Sequence, residues 1–153
     1  MEKGFLGTNI VVQIGIVVRD IEKAAQDYAD FLGVDKPPIY ESGAYEDAGT
    51  EYRGGPTRAR AKQAFFKIGP NIDIELLAPD EEPSTWREEL DASGEGIHHI
   101  AFFVKGMAEK IAQFERNGFP LLQKGEYTGG RYAYHDTKAK LKTIVELLEN
   151  DGK

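Results

Sequence analysis

From Ile10 to Val18 the chain reads Ile-Val-Val-Gln-Ile-Gly-Ile-Val-Val, an apolar run broken by one strongly polar residue, Gln13. A short run of β-branched residues bounded by polar positions predicts a strand covered on both faces. Asp20 follows as a helix N-cap, and Ile21, Ala24, Ala25, Tyr28, Phe31 and Leu32 recur at helical spacing until Gly33 supplies a stop. The pattern then returns. His99 is followed by Ile-Ala-Phe-Phe-Val, a break, a stripe of Met107, Ile111 and Phe114, and a stop at Gly118. Further along, Ile74-Glu75-Leu76-Leu77 is answered by Val145-Glu146-Leu147-Leu148, each preceded by a candidate strand, over 64–68 and 131–135.

This internal repeat predicts an α+β fold built from two tandem βαβββ modules. We expect a single domain over 1–153, with the first module at about 8–79, a linker at 80–95 and the second module at about 96–150. The linker is rich in Pro, Glu, Asp and Ser, but Thr85-Trp86-Arg87-Glu88 resembles a capping box opening a short helix. The segment 35–56, with Pro37, Pro38, Gly43, Gly49, Gly54 and Gly55, has no period and reads as a long excursion over the surface or the site.

Gln13 and Glu75 sit in strands apolar enough to be buried, where an unpartnered polar group costs several kcal/mol. The second module repeats the anomaly with His99 and Glu146 at the equivalent places. Pairing of the halves about a pseudo-two-fold axis brings all four into one cavity. Each residue alone fits a satisfied structural role, but two repeat-related pairs offering N and O donors suit a divalent ion of the zinc, nickel, cobalt or manganese type. In a regular strand His98 points away from His99, and His135 reads as a turn residue.

Composition narrows the partners. With 19 Lys and Arg against 26 Asp and Glu, the formal charge of −7 repels a phosphate backbone, so nucleic acid is not an expected ligand. Arg53, Arg58, Arg60 and Lys62 form a basic stretch against that trend, where an anionic small molecule can be steered. There is no cysteine, which removes disulfides, thiolate ligands and cysteine nucleophiles. Neither a signal-peptide pattern nor a membrane-length apolar run is present, so we expect a cytoplasmic protein with no membrane partner.

The repeat, with its polar residues on the first and last strand of each half, resembles the vicinal oxygen chelate superfamily, which includes glyoxalase I, methylmalonyl-CoA epimerase, extradiol dioxygenases and bleomycin resistance proteins. The segments Ile14 to Ala24, Ile74 to Pro79 and Gly94-Glu-Gly-Ile-His-His-Ile-Ala-Phe102 are similar to methylmalonyl-CoA epimerases. The resemblance implies that the two modules form a curved mixed sheet around a central metal-binding cavity, with one divalent metal (cobalt, zinc, nickel or manganese) on Gln13, Glu75, His99 and Glu146. It also implies isomerase activity on a methylmalonyl-CoA-like thioester, with Glu146 and Glu75 as acid and base, and a homodimeric assembly. Gln13 stands where epimerases place a histidine, and no acid occupies the neighbourhood of Lys62 and Gln63, where a second catalytic carboxylate is expected. Arg53, Arg60, Lys62, Gln63 and Tyr134 are the candidate substrate-binding residues for an acyl-CoA or thiol conjugate. The donor set is also similar to that of zinc-type glyoxalase I, a lactoylglutathione lyase, which is the alternative activity. A metal-free small-molecule-binding protein of the bleomycin resistance kind is the alternative from another class.

Overall fold

The computed structural model describes residues 1–152. Its first half runs β1 (Gln13–Val17), α1 (Ile21–Leu32), β2 (Tyr40–Glu41), α2 (Tyr45–Ala48), β3 (Glu51–Tyr52), β4 (Gly55–Pro56), β5 (Ala61–Ile68) and β6 (Ile72–Pro79). After α3 (Thr85–Ser93), the second half runs β7 (Gly96–Phe103), α4 (Met107–Arg116), β8 (Leu121–Tyr127), β9 (Gly130–His135), α5 (Lys138–Leu141) and β10 (Ile144–Asn150).

All strands join one curled mixed sheet in the order β2-β5-β6-β1-β7-β10-β9-β8-β3-β4. At its centre β1 and β7 pair antiparallel; β6 runs parallel to β1 and β10 parallel to β7, so the two halves mirror each other about the β1–β7 seam. This is the α+β architecture the repeat predicts. The segment after α1 is the asymmetric part. Its β2 pairs with β5 at one edge of the sheet, whereas β3 pairs with β8 at the opposite edge. The excursion is therefore a strap from one rim of the curled sheet to the other.

Each long helix covers its own half. Asp20 accepts the Lys23 amide and Gly33, at φ 70°, closes α1, whose Ile21, Ala25 and Ala29 pack with Ala64, Phe66 and Leu76. Phe31 departs from the sequence expectation: it lies at the margin of the stripe and is 83% exposed. In the second half Met107 and Phe114 of α4 pack on Phe102, Ala133 and Leu147. Helix α3 joins the halves, with Trp86 and Leu90 set among Val17, Leu77, Leu122, Tyr134 and Ile144. Its cap is Ser84, one residue before the expected Thr85: the Ser84 side chain accepts the Arg87 amide. That leaves the Thr85 hydroxyl free to turn inward, where it meets His98. Among the described residues, no helix is long and apolar enough to cross a membrane.

Candidate metal and acid–base centre

Sheet register brings the four sequence-selected donors together. One row of the ladder runs Glu75, Gly15, His99, and the next on the same face runs Gln13, Ala101, Glu146. The two small residues, Gly15 and Ala101, lie on the central strands between the donors, and the polar side chains close over them. Gly15 is obligatory there. A Cβ on it would lie 2.0 Å from Cε1 of His99 and 2.3 Å from its Nδ1, so the imidazole is laid over the glycine Cα.

All four donors are buried: His99 is 0% exposed, Glu75 and Glu146 4%, Gln13 9%. The His99 Nε2 lies 2.9 Å from Gln13 Oε1, 3.5 Å from Glu146 Oε1 and 3.6 Å from Glu75 Oε1. The same Gln13 position is 3.3 Å from Glu75 Oε1 and 3.0 Å from Glu146 Oε1. An amide oxygen there faces only acceptors, and turning the amide over lets nitrogen donate to all three.

Among the described residues, no group of three or more His, Asp and Glu is arranged as a ready cage; the donors stand in contact with one another instead. Their spacing nonetheless fits an ion. Ligands at roughly 2.1 Å from a first-row metal lie about 3.0 Å apart in octahedral and about 3.4 Å apart in tetrahedral geometry, within the range seen here. Two buried carboxylates with no cationic side chain beside them also lack the positive charge that burial demands. The donor chemistry of the residues present therefore fits a divalent metal, which Gln13, Glu75, His99 and Glu146 would hold.

Without a cation the pocket is tuned to protons. Burial pushes the Glu75 carboxyl up to about 8, against a hydrogen bond from Gln63 Nε2 at 2.9 Å that favours the anion. Glu146 is pushed well up by burial and by the neighbouring Glu75, opposed by the nearby Tyr134 hydroxyl. Burial holds His99 well below the ordinary histidine range and His98 down at about 4, so both rings are neutral at physiological pH. The metal-free folded chain keeps its two carboxyl protons to higher pH than the unfolded chain. Stability from this source is full below 4.5, the ordinary value, and is lost as pH rises through about 8 for Glu75. We expect urea midpoints of metal-stripped protein to fall across that interval and zinc to abolish the fall; a flat profile without metal would contradict the assignment.

Gln13, Glu75 and Glu146 open into a cavity of about 440 Å³ lined also by Gln63, Phe65, Trp86, Phe103, Tyr132 and Tyr134, with Ser42, Gly43, Ala48 and Thr50 from the strap. Asp73 and Glu126 add two more acids, and none of the described lining residues is lysine or arginine. Of the candidate substrate residues, Gln63 and Tyr134 line this cavity. The other three lie outside it. Arg53 pairs with Glu88 at 2.6 Å, Arg60 bonds the Ser42 carbonyl at 2.8 Å, and Lys62 faces out beside Arg19 and Arg60. Arg58 pairs with Glu46. Arg53 and Arg58 of the basic stretch are thus matched by acids from other segments that no local pattern connects to them.

Tyr134 receives a hydrogen bond from Trp86 Nε1 at 3.0 Å. Tyr134→Phe leaves the buried indole N–H unpaired, so a loss of about 1–3 kcal/mol is expected in urea denaturation; an unchanged midpoint would remove Tyr134 from this role.

His98 overturns the alternation expected of a regular strand. Gly15 pairs with His99 but Ile16 pairs with Ile97, so His98 is the extra residue of a β-bulge. Both imidazoles are consequently buried in contact, with Nδ1 to Nδ1 at 2.8 Å. His135 is not an exposed turn residue but buried, its Nδ1 bonded to the Phe119 carbonyl at 2.8 Å. It takes no part in the site. Sequence reading missed the roles of Gly15, His98 and Trp86; the glycine inside a β-branched run was the one local signal available.

Residues 12–135 match the family model described as Glyoxalase/Bleomycin resistance protein/Dioxygenase superfamily. The chain is 24% identical over 147 residues to protein YqjC of Bacillus subtilis (strain 168), covering 94% of each. Among solved structures it is similar to methylmalonyl-CoA epimerase from Mycobacterium tuberculosis at 23% identity and TM-score 0.65, covering 92% of this chain and 87% of the other. It is also similar to a variant of Streptomyces coelicolor methylmalonyl-CoA epimerase in complex with 2-nitronate-propionyl-CoA, at 21% identity and TM-score 0.64, covering 94% and 98%. At these identities the structural likeness establishes the fold. With the family model spanning most of the sequence, the chain belongs to the Glyoxalase/Bleomycin resistance protein/Dioxygenase superfamily.

Proposed function

We propose that the protein is a metal-dependent isomerase that moves a proton at a carbon next to a carbonyl. The observation that carries this reading is the pair of buried carboxyls, Glu75 and Glu146, on strands at opposite sides of a shared donor point at the base of a cavity. When bound there, a divalent ion supplies Lewis-acid stabilisation of the negative charge that develops on the carbonyl oxygen.

Glu146 in its anionic form takes the proton from the carbon: the C–H bond breaks, an O–H bond forms on the carboxyl, and the electron pair moves toward the carbonyl oxygen. Tyr134, held by Trp86, lines the same cavity as the Glu146 carboxyl. Glu75 in its protonated form then returns a proton to the opposite face, which inverts the centre; Gln63 orients it. Raised proton affinities at both groups suit this exchange, since each carboxyl can then hold a proton as well as release one. Phe65, Phe103 and Tyr132 give the cavity an apolar wall.

Epimerisation of a methylmalonyl-CoA-like thioester is the substrate reading supported by the fold neighbours, in complexes of which 2-nitronate-propionyl-CoA and methylmalonyl-CoA are bound. A second reading, a glyoxalase I-type hydrogen shift on a thiol conjugate, is favoured by charge: the cavity adds acids and no basic side chain to hold a malonyl carboxylate. Stripped protein reconstituted in turn with zinc, cobalt, nickel and manganese would be assayed for methylmalonyl-CoA epimerisation and for turnover of methylglyoxal with glutathione. Activity with one substrate chooses between the readings. Failure of the wild-type chain to bind any of the four ions would overturn the enzyme reading and leave a small-molecule-binding protein.

A further inference from the structure

We propose that His98 is a positioning residue that orients His99, taking a proton-bearing Nδ1 of His99 as its hydrogen-bond partner so that the Nε2 lone pair is presented to the donor point. The inference rests on the donor set described above but concerns a residue outside it.

Three contacts make a buried line. His99 Nδ1 meets His98 Nδ1 at 2.8 Å, and His98 Nε2 meets the Thr85 hydroxyl at 3.2 Å. Thr85 is in turn fixed at the start of α3, its amide donating to Gln123 Oε1 at 2.8 Å. His98, His99 and Gln123 are each at most 1% exposed, and Thr85 is 3% exposed, so water does not compete for these groups.

Neutral imidazole carries one N–H and one lone pair, which makes the line directional. In one direction His99 donates through Nδ1 to His98, His98 donates through Nε2 to Thr85, and His99 Nε2 is bare. In the other direction Thr85 donates to His98, His98 donates to His99, and His99 Nε2–H faces the turned-over Gln13 amide nitrogen, itself a donor, 2.9 Å away. Only the first direction leaves a lone pair on Nε2, which accepts from Gln13 without an ion and is available to one on loading, so both tautomers are set together. The β-bulge is what places the second imidazole here; in a regular strand the side chain of residue 98 lies on the other face.

Nuclear magnetic resonance of ¹⁵N-histidine protein tests this directly, because the chain has three histidines and the third, His135, bonds a backbone carbonyl elsewhere. In wild-type metal-free protein we expect a scalar coupling across the N–H···N bond between the two Nδ1 atoms. Its absence overturns the relay whether or not the chain binds metal. After zinc loading, His99 is expected as the Nδ1–H and His98 as the Nε2–H tautomer; a zinc-loaded His98 protonated on Nδ1 overturns the proposal.

Zinc affinity, read by competition with a chelator, is expected to fall about 10- to 100-fold in His98→Leu. His98→Asn keeps an acceptor oxygen near the Nδ1 position and is expected to recover most of that loss. Equal zinc affinity in His98→Leu and wild type would also overturn it. If wild-type protein binds no zinc, the metal-dependent function fails, while the coupling measurement still decides the relay.

Discussion

Glu146→Gln is expected to lower turnover by about 10²- to 10⁴-fold with metal held at saturation, the range by which a positioned general base accelerates proton transfer. Glutamine keeps an oxygen donor and the side-chain shape, but it has no basic oxygen to take a proton. Its neighbours define the loss: Glu146 lies 3.5 Å from His99 Nε2, and its proton affinity is raised by burial and by Glu75. Metal content must be read on the same samples, because removing one of two anions also weakens ion binding. Glu75→Gln separates the roles. If inversion uses both faces, Glu75→Gln is also slow, and the two variants lose opposite limbs of the pH–rate profile. If one residue serves as both base and acid, Glu75→Gln affects metal affinity more than turnover at saturating metal. Turnover of Glu146→Gln within a few-fold of wild type would remove it from the proton path.

Much of the architecture was legible because both modules obey the same local rules. Strand, cap, helix and stop recur from Gln13 to Gly33 and from His99 to Gly118, and those elements form as β1–α1 and β7–α4. Gln13, Glu75, His99 and Glu146 stood out because each is a polar residue in an apolar strand at a repeat-related position; the register of β1 with β7 then juxtaposes them. What stayed hidden depends on pairing between distant segments. The strap over 40–56 pairs with β5 at one rim and β8 at the other, a choice no local period encodes. Arg53 and Arg58 look like free cations until Glu88 and Glu46 are found beside them. The His98 bulge is a mismatch between β1 and β7, visible only once both strands are aligned. Ser84 rather than Thr85 caps α3, and both residues suit a cap by type; Thr85 is committed to His98 instead.

Gly15→Ala is expected to dismantle the centre without touching any donor. The added methyl would sit 2.0 Å from Cε1, 2.3 Å from Nδ1 and 2.4 Å from Nε2 of His99, inside hard contact with three ring atoms. The ring has little freedom to yield, since His98 holds one edge at 2.8 Å, Gln13 the other at 2.9 Å, and no part of it is exposed. Either the imidazole leaves its place or β1 separates from β7, and overpacking of this kind costs about 1–3 kcal/mol or more. Urea denaturation should show that loss, and zinc titration should show a site lacking its only nitrogen ligand. The companion variant makes the cause unambiguous. His99→Ala removes the ring that the methyl strikes, so the Gly15→Ala cost should shrink in the His99→Ala background, with a coupling of about 0.5–3 kcal/mol in the double-mutant cycle. Additive costs would mean that the methyl is tolerated by the ring and harms the sheet in some other way; a Gly15→Ala protein that binds zinc like wild type would show that His99 does not need the bare Cα beneath it.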